Sequence, residues 1–306
     1  MTVIHNNLYS HVFPAMGSRC EIAVEVNDAL QAKKIFDLAE SEARRIEEKY
    51  SRYLTDSWLS QVNNSAGKNS VALDDESYQL LKYAENLYQV SSGLFDITSG
   101  VLRRAWDFKS TPKIPNQFEL NDVLKLIDWP SVVWDESSIY LPKKSMEIDF
   151  GGYGKEYAVD RVIQLMAAEG VSVGYVNFAG DMRVIGPREN NQPWQMGIQS
   201  PRDSSKLMAT IPLYAGALAT SGDYERYFEL EGVRYCHIIN PRNGQPVRYW
   251  QSISVLAPLA VMAGSYSTIA MLLEDRALDF LNKTNVAYLA VDHQGRIHQK
   301  NSEKKV

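Results

Sequence analysis

The sequence MEIDFGGYGKEYAVD at residues 146–160 joins a predicted strand, a glycine turn and a predicted helix. Met146, Ile148 and Phe150 alternate with charged residues, a spacing that predicts a short strand with one buried face. Two adjacent glycines follow, and no side chain on them obstructs an approaching ligand. The stretch therefore marks a place where a ligand can come close to the backbone.

The helix after the glycines is predicted from apolar residues at helical spacing from residue 157 onward. Lys155 then lies in or just before the first helical turn. Free backbone N–H groups and a lysine at such a junction can bind a phosphate, while Asp149 at the end of the strand points into the crevice. An ordinary strand-to-helix turn would give the same pattern, because the glycine motifs typical of nucleotide binding are not matched. Both interpretations stay open on these residues alone.

The composition is that of a globular protein and argues against a nucleic-acid-binding role. Of 306 residues, 45% are hydrophobic and 23% are charged, so the chain can bury a large core. The net charge is -5 and no segment carries the clustered Lys and Arg that bind nucleic acid. Small molecules or proteins are the expected partners. Without a visible repeat, low-complexity tract or linker, one continuous domain over residues 1–306 is expected.

The N-terminal residues and the cysteines indicate a cytoplasmic protein without disulfides. Residues 1–18 lack a basic segment followed by an apolar run, and no stretch is long enough to span a bilayer. Cys20 and Cys236 lie far apart without metal-ligand spacing, so neither a disulfide framework nor a zinc site is expected. We expect a cytoplasmic location, although removal of an export signal would leave the same sequence.

Helices and strands are both predicted around the central stretch, but periodicity alone does not arrange them in space. Residues 51–64 are polar and are expected to be irregular. The predicted helices cover residues 28–50, 75–90 and 260–275, and the predicted strands cover residues 19–26, 132–134, 139–141, 193–201 and 253–256, with two more inside 173–186.

Two further residues have a functional and an ordinary interpretation. Tyr53 could stack on a planar ligand, although a surface or packing tyrosine is favoured by this stretch alone. Asp96 stands beside Thr98 and Ser99 just before an apolar run. That arrangement suits a ligand-facing turn, but it suits a helix N-cap somewhat better.

Eight segments, taken in order, resemble the ApbE family, the FAD:protein FMN transferases. They are AMGS, SRYLTDSWLSQVNN, FDITSGVLRRAWDF, IDFGGYGKEYAVD, VNFAGDMRVIG, TSGDYERYF, HIINPRNGQPV and AVMAGSYSTIAM, from residue 16 to about residue 273. The resemblance implies that FAD is cleaved at its pyrophosphate and that FMN passes as a phosphoester to a Thr or Ser hydroxyl of an acceptor protein. AMP is released, and a divalent ion, usually Mg²⁺, assists. The implied fold is α+β and two-lobed, T-fold-like, with mixed sheets, flanking helices and the flavin in a cleft between the lobes.

The resemblance also implies which residues meet the flavin, and it favours the functional interpretation of Tyr53, Asp96 and Lys155. His237 is the candidate for proton transfer, because an imidazole titrates near neutral pH and can accept the proton of an attacking hydroxyl. A structural histidine is the alternative. The implied flavin contacts are Met16, Tyr53, Leu94, Phe95, Asp96, Asp149, Lys155 and Ile239, with Thr220 and Ser221 lining the same cleft.

The implied metal site lacks its carboxylate. The family has an Asp, a small or acidic residue three positions later and a Thr four positions later, all on one helix face. Here these positions are Gly264, Ser267 and Thr268, with the Gly152 carbonyl as a possible third ligand. The chain is therefore expected to be a transferase with a weakened Mg²⁺ site or, alternatively, an FAD-binding relative without transferase activity.

Glu156 is a second departure, because the family usually has Gly there. A carboxylate at this position could offset the missing acid. A solvated residue in a first helical turn, favoured by the helix dipole, is the simpler expectation.

Overall fold

A nine-stranded antiparallel sheet lies at the centre of the computed structural model, which describes residues 1–5, 7–108 and 112–301. The strands in chain order are β1 Thr2–His5, β2 Leu8–Ala15, β3 Ser18–Glu25, β4 Val71–Ala72, β5 Val133–Trp134, β6 Ser138–Tyr140, β7 Gly174–Phe178, β8 Asp181–Gly186, β9 Trp194–Ser200, β10 Asp203–Leu213, β11 Gly216–Gly222, β12 Tyr227–Leu230, β13 Val233–Cys236, β14 Trp250–Ala257, β15 Ala287–Asp292 and β16 Ile297–Lys300. The central sheet has the order β1-β2-β3-β7-β8-β11-β14-β15-β16, while β9–β10, β12–β13 and β4-β6-β5 form small sheets.

The α-helices are α1 Ala29–Tyr50, α2 Trp58–Asn64, α3 Asp75–Val90, α4 Gln117–Leu124, α5 Gly154–Ala168, α6 Ala260–Leu273 and α7 Ala277–Lys283, with 3₁₀ turns at Ile97–Arg104, Trp129–Ser131, Glu189–Asn191 and Glu274–Arg276. Helices α1, α5 and α6 pack directly on one face of the central sheet, and the β9–β10 hairpin covers the other.

The central sheet is buried on both faces because each face has its own core. In β3, Ile22 packs in the core beneath the helices, and the next residue, Ala23, packs in the core beneath β9–β10. This alternation follows from the two-residue period of a strand. Strand β14 is covered on both sides, so seven of its eight residues are buried, including the polar Gln251, Ser252 and Ser254. The sheet therefore holds the elements of both faces in fixed positions.

One half-buried glutamate connects three helices on the covered face. Glu76 of α3 accepts hydrogen bonds from Arg45 Nη2 at 2.7 Å, from Lys49 Nζ at 2.7 Å and from Tyr157 Oη at 2.7 Å. Arg45 and Lys49 belong to α1, and Tyr157 belongs to α5. Charged side chains of α1 thus help to attach the neighbouring helices.

The predicted strand at residues 146–150 is wrong, although its pattern of buried residues is correct. The segment is extended but belongs to no sheet. Asn63 replaces a neighbouring strand: its Oδ1 accepts from Ile148 N at 2.8 Å and its Nδ2 donates to Ile148 O at 3.0 Å. Asp149 N donates to Ile97 O at 2.8 Å. Alternating burial requires an extended backbone, but it does not require strand pairing.

The predicted α+β class is confirmed, with antiparallel sheets and flanking helices. The three long predicted helices are α1, α3 and α6, each within two residues of its expected ends. The expectation of an irregular segment at residues 51–64 is wrong beyond Ser57, whose side chain accepts from Ser60 N and caps α2. Among the described residues, no helix is long and apolar enough to cross a membrane.

Candidate functional site

The junction between the extended segment and α5 is the centre of the site. A β-carbon on Gly152 would lie 2.8 Å from Cζ of Phe95, so this ring packs directly on the glycine backbone. The side chains of Leu94 and Phe95 are themselves buried in the core. These two predicted flavin contacts are therefore packed behind the glycine turn, and a direct contact with a flavin stays a prediction. Tyr153 is the N-cap residue of α5, and its side chain makes no capping hydrogen bond.

Asp96 is a buried helix N-cap in this structure. Its Oδ1 accepts from Thr98 N at 2.7 Å and from Thr98 Oγ1 at 2.6 Å, and its Oδ2 accepts from Trp129 N at 3.4 Å. Burial raises the pKa of the Asp96 carboxyl above its usual value, although these hydrogen bonds act in the opposite direction. The cap interpretation is confirmed by the geometry, and a flavin contact by this residue stays a prediction.

Asp149 is paired with Arg52, a residue that sequence reasoning missed. Arg52 Nη1 forms an ion pair with Asp149 Oδ2, and Gly151 N donates to Asp149 Oδ1 at 3.0 Å. The guanidinium also lies over the Tyr53 ring, 5.0 Å from its centroid, and donates to Tyr53 Oη at 3.0 Å. Tyr53 is 62% exposed, so much of its side chain is accessible to solvent. The signal in the sequence was a basic residue directly before the predicted tyrosine.

Lys155 lies in the first turn of α5, as predicted, and connects that helix to the β7–β8 hairpin. Its Nζ donates to Phe178 O at 3.2 Å and forms an ion pair with Asp181. Burial acts to lower the pKa of Lys155, but the charge of Asp181 outweighs it and the pKa lies above its usual range. The amine is therefore charged at neutral pH. A phosphate that binds Lys155 has to share the ammonium group with Asp181.

Glu156 is buried, so the expectation of a solvated residue is wrong. Its exposed fraction is 7%, and its side chain lies against α6 at Gly264. A β-carbon on Gly264 would lie 2.6 Å from Cγ and from Oε1 of Glu156. Burial, together with the negative charge of Asp181, raises the pKa of the Glu156 carboxyl well above its usual range. The glycine of α6 is what makes room for this side chain.

Hydroxyl groups from β11 and α6 meet one turn beyond that glycine. Ser221 Oγ lies 2.7 Å from Ser267 Oγ and 3.0 Å from Thr268 Oγ1. Thr220 instead pairs across the sheet with Ser254, with 2.8 Å between the two hydroxyl oxygens. Three of the four predicted hydroxyl residues therefore form one cluster, while Thr220 has a cross-strand partner.

His237 has one ring nitrogen free to act as a base within the described part of the chain. Its Nδ1 lies 3.2 Å from the Arg226 carbonyl, which can only accept, so Nδ1 carries the proton and Nε2 keeps its lone pair. The residue is exposed at the surface, but neighbouring protein atoms exclude part of the water that would otherwise surround the imidazole. This desolvation, together with the positive charges of Arg226 and Lys155, lowers the pKa of His237 to about 4. The imidazole is therefore neutral at pH 7.

The backbone on both sides of His237 is fixed by burial. Cys236 and Ile238 pack in the core beneath the helices, while Ile239 contacts a separate aromatic cluster around Trp106. Ile239 also forms an isolated β-bridge with Pro246. The predicted contact Ile239 is thus half-buried and lies beside the candidate base.

Met16 is located in the tight turn between β2 and β3. It adopts a left-handed backbone with φ of 55°, and the following Gly17 has φ of 65°. Gly17 N donates to Glu47 Oε1 at 3.1 Å, which holds the turn against α1. The Met16 side chain is half-buried against the core.

The predicted residues divide into groups that meet at residues 149–156. Lys155 acts electrostatically on His237, and Glu156 packs against Gly264 on the helix that bears the hydroxyl cluster. Asp149 forms an ion pair with Arg52, whose guanidinium lies over the Tyr53 ring. Over residues 1–5, 7–108 and 112–301, no three His, Cys, Asp or Glu side chains form a group that could hold a metal ion. Any metal here would depend on hydroxyl and carbonyl oxygens with few carboxylates.

Several known proteins are similar to this chain in sequence and in fold. The ApbE protein of Thermotoga maritima matches with a TM-score of 0.88 and 30% identity over 97% of each chain. The FAD:protein FMN transferase of Klebsiella pneumoniae (strain 342) is 28% identical over 246 residues, 79% of this chain and 75% of that protein. That of Escherichia coli (strain K12) is 25% identical over 291 residues, 92% of this chain and 83% of that protein. The ApbE family model matches residues 16–290, and the chain therefore belongs to the ApbE family.

Proposed function

We propose that this protein transfers FMN from FAD to a Thr or Ser hydroxyl of an acceptor protein and releases AMP. The observation that carries the proposal is the neutral imidazole of His237, with Nε2 unprotonated, within electrostatic range of the charged amine of Lys155. A base and a phosphate-binding cation in one site are what phosphoryl transfer to a hydroxyl needs. The names of the relatives support the same reaction.

The reaction breaks one P–O bond and forms another. The acceptor hydroxyl oxygen attacks the phosphorus on the FMN side of the pyrophosphate, and its proton passes to Nε2 of His237. The bond between that phosphorus and the bridging oxygen breaks, so AMP leaves with both electrons of the bond. Lys155 holds the phosphate oxygens, and its ion pair with Asp181 fixes where the ammonium group lies.

The flavin ring is proposed to lie against the Arg52, Tyr53 and Asp149 group. Tyr53 offers a largely exposed aromatic side chain, and Arg52 and Asp149 supply polar groups at its edge. Met16 and Ile239 would border the ring, as the resemblance implies. The buried Leu94, Phe95 and Asp96 would support this wall from behind.

A divalent ion such as Mg²⁺ would neutralise charge on the pyrophosphate when bound. The residues proposed to hold it are Ser267, Thr268 and the Gly152 carbonyl. Oxygen donors of this kind suit Mg²⁺, and the two side chains already share one hydroxyl cluster through Ser221.

The test is incubation of the protein with FAD, Mg²⁺ and a threonine-bearing acceptor protein, followed by mass analysis of the acceptor and assay of AMP. Wild-type protein should add one FMN phosphoester per acceptor site, and His237→Asn should bind FAD without forming the adduct. His293→Asn is the matched control, because His293 is exposed and contacts Tyr249 outside the site. An unmodified acceptor with wild-type protein would contradict the proposal.

The second candidate function is FAD binding without transfer, motivated by Gly264. Under this alternative the site lacks an acid at the metal, so FAD is held intact. Release of AMP from FAD by wild-type protein would exclude it. The buried carboxyl group of Glu156 against Gly264 argues for the transferase, because the site is not without an acid.

A further inference from the structure

We propose that Glu156 supplies, from helix α5, the metal-binding carboxylate that helix α6 lacks at Gly264. The exchange is reciprocal: a glycine stands where the family has an acid, and an acid stands where the family usually has a glycine. A divalent cation then binds between the two helices, close to Ser267 and Thr268. This inference rests on the proposed function and adds a ligand that the resemblance does not assign.

The position of the carboxyl group is the first support. A β-carbon on Gly264 would lie 2.6 Å from Glu156 Oε1 and 2.8 Å from Glu156 Cδ. Those distances mean that the Glu156 carboxyl occupies the volume that any side chain at position 264 would enter. An acid on α6 and the acid on α5 therefore reach the same place from opposite sides.

An unused oxygen is the second support. Glu156 Oε2 is buried and has no hydrogen-bond partner among the described residues. Lys155, whose charge acts on Glu156, is already committed, since its Nζ pairs with Asp181 and donates to the Phe178 carbonyl. A buried carboxyl oxygen without a partner is costly in a folded protein, and a bound cation would displace the carboxyl proton and satisfy this oxygen.

The neighbouring oxygens are the third support. Ser267 and Thr268 lie on α6, three and four positions after Gly264, and hence on the same helix face. Ser267 Oγ donates to the Gly264 carbonyl at 2.9 Å, which places this hydroxyl beside the glycine that faces Glu156. A carboxylate together with hydroxyl and carbonyl oxygens is a donor set that Mg²⁺ and Mn²⁺ accept.

The test measures Mn²⁺ binding directly, by the loss of the free-ion signal in electron paramagnetic resonance, on the full chain without FAD. Wild-type protein should bind one Mn²⁺, and Glu156→Gln should weaken binding by at least about tenfold. The double variant Glu156→Gly with Gly264→Asp should regain most of the affinity. Glu169→Gln is the matched control, because Glu169 lies at the other end of α5 and pairs with Lys34.

Three results would overturn the inference: no Mn²⁺ binding by wild-type protein, equal affinity in Glu156→Gln, or an equal loss in Glu169→Gln. Circular dichroism of each variant checks that it is folded. AMP release from FAD is assayed separately, so the two proposals fail independently. Mn²⁺ binding through Glu156 without AMP release would contradict only the transferase, whereas AMP release with unchanged Mn²⁺ affinity in Glu156→Gln would contradict only the role of Glu156.

Discussion

A single added methyl group, Gly264→Ala, tests how tightly Glu156 packs on helix α6. In an unobstructed helix interior this substitution stabilises a protein by about 1 kcal/mol, because alanine is the better helix former. Here the new β-carbon would lie 2.6 Å from Cγ and 2.8 Å from Cδ of Glu156. Overpacking of this kind costs about 1–3 kcal/mol. The clash is thus expected to cancel or reverse the gain from helix propensity.

The same methyl group should have the opposite effect once Glu156 is shortened. In a Glu156→Ala background the clash is gone and only the propensity gain of about 1 kcal/mol remains. The difference between the two backgrounds, about 1–3 kcal/mol, is the coupling energy of the pair. Any loss caused by Glu156→Ala itself is present in both members of the comparison and cancels.

The assay is urea-induced unfolding of the four proteins without flavin or metal, followed by the fluorescence of the six tryptophans. Gly264→Ala should lower or leave unchanged the free energy of unfolding in the wild-type background, and raise it in Glu156→Ala. An equal stabilisation in both backgrounds would refute the placement of Glu156 against α6, and with it the proposed metal ligand.

Three further predictions concern the rest of the site and its support. Arg52→Met should leave the half-buried Asp149 carboxylate unpaired and lower the free energy of unfolding by about 1–3 kcal/mol in urea; no change would show that the pair contributes nothing. Desolvation raises the pKa of Glu76, but its three hydrogen-bond donors outweigh it and hold the pKa below its usual range. Its contribution is therefore complete above the unfolded pKa of about 4.3 and is lost progressively in acid, so the difference between the urea midpoints of wild-type protein and Glu76→Gln should stay constant down to about pH 5 and narrow steadily below it. Because His237 must be neutral to accept a proton and its pKa is lowered to about 4, AMP release should stay constant from pH 7 to pH 5.5; a half-loss near pH 6.5 would contradict this.

Local patterns in the sequence predict the long helices and the buried residues well. Asp28 caps α1 through Leu30 N and Gln31 N, and the helix begins within one residue of its predicted start. The alternation at residues 146–150 correctly identifies the buried side chains. It does not show that the partner of Ile148 is the amide of Asn63, far away in the chain, because such a contact is decided by the tertiary fold.

The site residues that the sequence did not assign depend on pairs that are distant in the chain. A glutamate in a first helical turn is ordinarily solvated, and only a glycine facing it from another helix makes its burial possible. Arg52 was visible next to Tyr53, but its pairing with Asp149 follows from how α1 ends beside the extended segment. The predicted roles of the flavin and metal contacts remain to be tested by the experiments above.

The burial of Cys236 and Ile238 on either side of His237 has a kinetic consequence. With both neighbours anchored in the core, the imidazole has little backbone freedom left to lose when substrates arrive. Under the proposed function, in which His237 is the base, the entropy cost of positioning it is incurred once, during folding, and not in every turnover. Discrimination between acceptors would consequently depend on how well an incoming hydroxyl reaches a stationary nitrogen, and a short, mobile acceptor loop would be favoured over a rigid surface.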